Sequence, residues 1–352
     1  MASATAKMKK ASAGDPLTVA LVGPVPSSGL KLIQKNLVTN CSLLPFAKTR
    51  EDESLFQKLE KADIVVGQYF TGRMANAAVH LKLLHAMGAG VDEFDLPALS
   101  PRTSVSNVYF HGPAVGEFVM MTVLALSRDL IKTDSQLRKG VWHGSWTSGD
   151  PPADEIQGKT LGIIGFGHIG HEVAVRARAF GLKVLALSAH PPVRRPASVD
   201  RWSGPGQLRP LLRESDFVVL ACPLNDGTRG LIGAREFGWM KSSASLINIA
   251  RAPIVEESAL YDALSKRRIR SAAVDVWYCY PVGGKRRTPS LFPFHKLHNL
   301  IMTPHIAGWT TGTLERRFRA IADNIDRLAS GRPLLNVVQG PARYKALREA
   351  KH

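Results

Sequence analysis

The chain has 352 residues, 45% hydrophobic and 21% charged. That is too long for one ordinary core and points to two domains of ordinary globular composition. The formal charge of +17 draws anions of every kind, nucleotide cofactors and carboxylates among them. No stretch reaches the roughly 18 uninterrupted apolar residues of a membrane span. The basic residues are scattered, in SKRRIR, GGKRR and LERRFR, with no zinc-finger or basic-zipper frame, so specific nucleic-acid binding is not expected.

In chain order, the opening MASATAKMKKASAGDP lacks the apolar core of a secretory signal. It reads as a frayed tail, with a weak organellar targeting segment as the alternative. Cys41, Cys222 and Cys279 show neither a disulfide nor a zinc spacing. No metal site is expected, and a reducing, cytoplasmic location fits best. TVALVG and ADIVVGQ read as short buried strands, with the helix-like DESLFQKLEK between them. LKLLHAMGAGVDEFDL passes from an apolar run into a glycine turn. GPAVGEFVMMTVLALSRDLIK reads as one long, largely apolar helix. SDFVVLACPL, ASLINIA, IRSAAVDVW and NLIMTPH are further strands, with the amphipathic VEESALYDALSKRR between two of them. Strand–helix alternation of this kind predicts a parallel sheet covered by helices on both faces. The apolar spacing Leu314, Phe318, Ile321, Ile325 predicts a last helix, stopped by Gly331.

In TLGIIGFGHIG, Gly165, Gly167 and Gly170 follow a strand and open a helix. In that context the first glycine permits the tight turn, the second lets backbone approach a pyrophosphate, and the third lets helix pack on strand. Anionic phosphates would meet N–H groups at the helix start. The next strand, VLALS, should end in an acid that holds the ribose of NAD. Ser188 stands there instead. A neutral hydroxyl does not repel a 2′-phosphate, and His190, Arg194 and Arg195 follow closely. NADP(H) is therefore the favoured cofactor and NAD(H) the alternative, with PPVRRP a solvated basic loop in the second case.

Six ordered motifs, LLHAMGAGVDEFDL, GKTLGIIGFGHIG, CPLNDGTRGLIG, LINIARAPIVEESAL, AVDVW and MTPHIAGWT, span about residues 60 to 338. Through them the chain resembles the D-isomer-specific 2-hydroxyacid dehydrogenases, which include glyoxylate and hydroxypyruvate reductases and phosphoglycerate dehydrogenases. The resemblance implies an α/β fold with a Rossmann-type cofactor domain inserted into a smaller flavodoxin-like substrate domain. Mapped here, residues 1–106 begin the substrate domain, 107–302 form the cofactor domain, and 303–352 return to the substrate domain with the C-terminal helix. It implies a homodimer, with Trp142 and Trp146 as candidates for that contact.

By the same resemblance Arg251 is the catalytic arginine, and His305 the catalytic histidine. Met87, Gly88 and Ala89 form the turn that holds the substrate carboxylate. Gly165, Gly167, His168, Ile169, Gly170, Ser188, Arg194, Arg195, Cys222, Pro223, Thr228, Ala250 and Asp275 are the expected cofactor contacts, with a structural hydrogen bond as the other reading of Asp275. The chemistry suits these residue types: a guanidinium fork grips a carboxylate and an oxo oxygen, and an imidazole exchanges a proton near neutrality. Three places depart from the family pattern. Tyr280, in DVWYCYP, stands where a glutamate usually orients the histidine. Ala252 replaces a glycine, and NVYFHG replaces the usual Asn-x-Pro hinge. The expected function is hydride exchange between a nicotinamide cofactor and a 2-hydroxy acid/2-oxo acid pair. The alternative is a non-catalytic dinucleotide-sensing module of the same fold.

Overall fold

The computed structural model describes residues 16–49, 51–189, 195–281 and 287–341. The opening segment, His190 and Arg194 lie outside them. The chain divides into two units: one runs to Phe110 and resumes at Thr311, and the other is His111–Thr310.

In the first unit, strands β1 (Leu17–Val22), β2 (Cys41–Phe46), β3 (Ile64–Gly67), β4 (Leu83–Ala86) and β5 (Ser104–Ser106) lie in the order β2-β1-β3-β4-β5, all parallel. This is the flavodoxin-like order. IVVG and LLHA are buried at every position, as parallel strands with both faces covered must be. The helix Glu53–Leu59 closes one face through Leu55 and Leu59, capped by the Asp52 side chain on the Leu55 N–H. The helix Thr311–Ala329 closes the other with Phe318, Ile321 and Ile325, the stripe expected from a 3.6-residue period. Gly331 follows its end at φ +66°.

His85 of β4 is wholly buried. The Asn324 side-chain amide lies 2.9 Å from its Nε2, and the Ala86 carbonyl 2.9 Å from its Nδ1. An amide N–H can only donate, so Nε2 accepts and Nδ1 carries the proton. Asn324 also donates to the Leu335 carbonyl and accepts the Leu335 N–H. One neutral imidazole thus links the sheet to the C-terminal helix and the chain beyond it.

In the second unit, β6 (Thr160–Ile164), β7 (Lys183–Leu187), β8 (Arg201–Ser203), β9 (Phe217–Leu220), β10 (Ser245–Asn248), β11 (Ser271–Val274) and β12 (Leu300–Met302) form a sheet in the order β8-β7-β6-β9-β10-β11-β12. Every neighbouring pair is parallel. The order reverses between β6 and β9, the switch point where such sheets open a crevice at their carboxyl ends. Strand β13 (Val337–Gln339), back in the first unit, joins the edge of its sheet antiparallel to β5.

Two expectations change. The long apolar segment is two helices, Gly112–Ser127 and Leu130–Leu137, broken at Asp129 in the left-handed region (φ 48°). The first buries 11 of its 16 residues and packs on the helix that follows the glycine turn. The second buries no residue, so one continuous rod would not serve both. Residues 303–310, expected in the returning segment, belong to the second unit, because the end of β11 binds their backbone, as described below. Among the described residues no helix is long and apolar enough to cross a membrane, and no group of three His, Cys, Asp or Glu side chains could hold a metal ion.

Burial lowers the His85 pKa from 6.5 to about 4. A depressed folded-state value means that stability is fully present above the unfolded value and is lost as pH falls from about 6.5 toward about 4. At one pKa unit per about 1.4 kcal/mol, the loss is at most about 3.5 kcal/mol. Urea midpoints at pH 7.5 and pH 4.5 should therefore separate more in the parent protein than in His85→Gln, which has no ring proton to gain. Equal separation in both would refute this role for His85.

Candidate active site

The three fingerprint glycines have three different surroundings. Gly165 turns the chain at φ +94°, and a Cβ there would lie 2.4 Å from the Cys222 backbone nitrogen. This is the contact of the β6 exit with the β9 exit, and only glycine satisfies both its conformation and its space. A Cβ on Gly170 would lie 2.6 Å from the Gly165 carbonyl oxygen, so the helix His168–Ala179 sits directly on the turn. A Cβ on Gly167 would meet nothing within 4 Å. The backbone is open to a ligand at the residue that precedes the helix, where N–H groups and helix dipole favour an anion. These residues fit a pyrophosphate: the turn is built around the empty side of Gly167, not closed over it.

The expected neighbours arrange themselves around that turn. His168 is the first residue of the helix, and Ile169 packs against the core beneath it. Ser188 follows β7, its N–H donating to the Ser203 carbonyl. Asp200, close in sequence, receives the Val184 N–H near the start of β7 and forms an ion pair with Arg178. Arg195 donates to the Asp200 carbonyl. Cys222 is buried and its thiol is pushed up to about 11 by desolvation, so it is a packing residue rather than a nucleophile. The Thr228 hydroxyl donates to the Pro223 carbonyl at 2.7 Å and accepts the Asn225 N–H at 2.9 Å, which pins the loop after β9.

The exits of β10, β11 and β12 carry the candidate reactive groups. Their ladder continues past the strands: Asp275 N–H donates to the Asn248 carbonyl, and Thr303 N–H to the Val274 carbonyl. Just beyond Asn248, Ala250 is buried and its N–H donates to the Asn248 side chain. Arg251 follows, half-buried, its guanidinium donating to the Ala250 carbonyl at 2.9 Å. Ala252, 2% exposed, is accommodated in place of the family's glycine.

Asp275 is 1% exposed. One of its oxygens accepts the Thr303 hydroxyl at 2.6 Å and the Ile306 N–H at 2.8 Å, and the other accepts the Ala307 N–H at 2.9 Å. Its carboxylate is thus directed into the loop that carries His305 (φ 59°). The His305 Nδ1 lies 2.8 Å from the Tyr280 hydroxyl, whose oxygen also accepts the Trp277 N–H at 3.3 Å. The Trp277 indole donates to the Thr303 carbonyl at 2.8 Å. Thr303 and Trp277 were not singled out from sequence. Their only signal is position, two residues from His305 and from Asp275.

In the first unit, Met87 is buried at the exit of β4, and a Cβ on Gly88 would meet nothing within 4 Å. The Asn107 side chain donates to the Ala89 carbonyl at 2.7 Å and so fixes the turn. In the NVYFHG stretch, Arg317 donates to the Tyr109 carbonyl and Arg316 to that of Phe110, which sits at φ 62°. Neither arginine, nor Asn107, was expected among the residues that shape this region.

A parallel sheet of this order, with a glycine turn at its reversal and the arginine and histidine at further strand exits, is that of a dinucleotide-binding α/β oxidoreductase. The family model for the D-isomer specific 2-hydroxyacid dehydrogenase NAD binding domain matches residues 120–307. The chain is 32% identical over 318 residues to a glyoxylate reductase of Thermococcus gammatolerans, across 87% of this chain and 91% of that protein. It is 32% identical over 274 residues to a hydroxypyruvate reductase of Thermotoga maritima, across 76% and 84%. A D-3-phosphoglycerate dehydrogenase of Methanocaldococcus jannaschii is 31% identical across 82% of this chain, which spans only 54% of that relative's length. A solved structure of an acyclic imino acid reductase (Bsp5) with NADPH and D-Arg aligns with a TM-score of 0.76 at 26% identity, over 92% of this chain and 100% of that one. The chain belongs to the D-isomer specific 2-hydroxyacid dehydrogenase family.

Proposed function

We propose that the protein reversibly reduces a 2-oxo acid to a 2-hydroxy acid with NADP(H) as its preferred cofactor. The observation that carries this reading is the placing of Arg251 beyond β10 and His305 beyond β12, on the two sides of β11, in the sheet whose β6 exit is the Gly165 turn. When bound, the nicotinamide supplies the hydride chemistry. Gly167 and the first turn of the following helix hold the phosphates. The Arg251 guanidinium grips the carboxylate and polarises the oxo group, and the His305 imidazole protonates the oxygen at C2. Within the first unit, Met87, Gly88 and Ala89 form the turn that the family resemblance assigns to the substrate carboxylate, its Gly88 side open. Cys222, Pro223, Thr228 and Ala250 shape the wall along the cofactor. The presence of both the arginine and the histidine argues against a purely dinucleotide-sensing role.

The cofactor preference rests on Ser188, a neutral residue at the exit of β7, and on Asp200 being held by Arg178 and by the Val184 amide near the start of that strand. No charge at the Ser188 position opposes a 2′-phosphate, and Arg194 and Arg195 are its candidate partners.

The proposed assembly is a dimer of this chain. Met121 at 53%, Ile131 at 60%, Trp142 at 63% and Trp146 at 91% exposure lie on the two helices after Phe110 and the loop that follows them. Exposed aromatic and aliphatic side chains in such number are characteristic of an interface, and the family resemblance makes a second copy the occupant.

Three measurements test these readings. Replacing His305 by Gln should lower turnover of glyoxylate or hydroxypyruvate by roughly 10²-fold or more, the usual worth of a general acid, with NADPH binding retained; unchanged kcat would exclude the role. Ser188→Asp should weaken NADPH binding by about 1–3 kcal/mol, the scale of a charged hydrogen bond lost, and leave NADH binding equal or better; a parent protein that binds both cofactors equally at low salt would defeat the preference. In light scattering at micromolar concentration, the parent should have twice the chain mass, and the double variant Trp142→Ser, Trp146→Ser should shift toward the single-chain mass. A monomeric parent would overturn the dimer.

A further inference from the structure

Arg317 lies in the second turn of the helix Thr311–Ala329 and is partly buried. Its Nε donates to the Tyr109 carbonyl at 3.1 Å. A guanidinium held through Nε keeps its two terminal nitrogens side by side, the edge that receives both oxygens of a carboxylate. The helix supplies no acid to that edge, because the residues one turn away on either side are Thr313, Leu314, Ala320 and Ile321. Arg327, farther along the same helix, has Asp323 at 2.8 Å one turn back. Among the described residues no carboxylate pairs with Arg317, and burial alone pulls its pKa down to about 10. It stays charged at neutral pH, and a cation drawn partly out of water is costly until an anion meets it.

Hydrogen bonds within the first unit tie this arginine to the turn read above as the holder of the substrate carboxylate. The Asn107 Nδ2 donates to the Ala89 carbonyl at 2.7 Å and to the Tyr109 hydroxyl at 3.4 Å. The Val108 N–H donates to the Gly88 carbonyl at 3.1 Å. Residues 107–109 therefore have the Gly88 turn on one side and Arg317 on the other.

We propose that Arg317 is a specificity-determining residue whose terminal nitrogens bind a second carboxylate on the substrate, so that the protein favours 2-oxo acids with an acidic end over those with a neutral one. This rests on the reading of the Met87–Gly88–Ala89 turn as the holder of the first carboxylate. A singly charged carboxylate balances the one guanidinium. A phosphate dianion would leave net negative charge in the same partly buried place.

The experiment compares oxaloacetate, 2-oxoglutarate and 2-oxoadipate with 2-oxo monoacids of equal carbon number. It measures reductive kcat/KM, and binding by calorimetry to the protein with NADP⁺ or NAD⁺, where no turnover occurs. The parent should favour at least one diacid over its monoacid by roughly tenfold or more. Arg317→Met should weaken binding of that diacid by roughly 10- to 100-fold, the worth of a charged hydrogen bond, and of the monoacid by no more than about threefold. Arg317→Lys, which keeps the charge but not the paired N–H edge, should fall between the two, and it carries the test if the methionine variant does not fold. A parent indifferent to the second carboxylate would overturn the proposal. So would a variant that loses diacid and monoacid by the same factor, the mark of a structural role through Tyr109. Preference for 3-phosphohydroxypyruvate over every diacid would overturn the choice of a carboxylate. If the protein reduced no 2-oxo acid, the oxidoreductase reading would fail, while calorimetry would still decide whether Arg317 holds a second carboxylate.

Discussion

Asp275 places both carboxylate oxygens, at 1% exposure, on three donors of one short loop: the Thr303 hydroxyl and the N–H groups of Ile306 and Ala307. A buried carboxylate with fewer partners would be costly, because its desolvation would not be offset. The loop therefore cannot leave without exposing that charge to an apolar interior. His305 sits between Thr303 and Ile306 in a left-handed conformation (φ 59°) that few non-glycine residues adopt. The position of the His305 imidazole is thus a consequence of one buried carboxylate at the exit of β11.

The same principle of strand exits organises the rest of the second unit. Parallel strands deliver all their carboxyl ends to one edge. The reversal of order between β6 and β9 leaves room there for a ligand. Gly165 brings the two exits into contact, Gly167 leaves its side open, and Gly170 seats the helix. Arg251, Asp275 and His305 follow β10, β11 and β12 on that edge. The chemistry is assembled by the register of the sheet, although its residues are far apart along the chain.

The first unit uses the parallel-sheet plan for a different end. Its β4 exit offers the Met87–Gly88–Ala89 turn, fixed by the Asn107 amide. Its opposite concern is stability: the neutral His85 joins β4 to Asn324 and, through it, to the chain before β13. A histidine in that position is a packing and hydrogen-bonding element. It shows why a residue type alone does not mark a catalytic group.

Sequence alone determined the parts of the protein that local physics governs. The strand–helix alternation, the Gly165–Gly170 turn between a strand and a helix and the stripe on the last helix were legible because apolar periodicity and glycine conformation are properties of short segments; motif order likewise marked Arg251 and His305 as candidates. Tertiary structure decided the rest. The break of the long apolar segment at Asp129 reflects one helix being buried and the next exposed, which no window of residues records. The assignment of 303–310 to the second unit, the engagement of Asp275 with that loop, and the support of Tyr280 by Trp277 each join residues brought together by strand pairing. Such contacts depend on which backbone groups lie side by side in the folded sheet, and that information is absent from any single stretch of the chain.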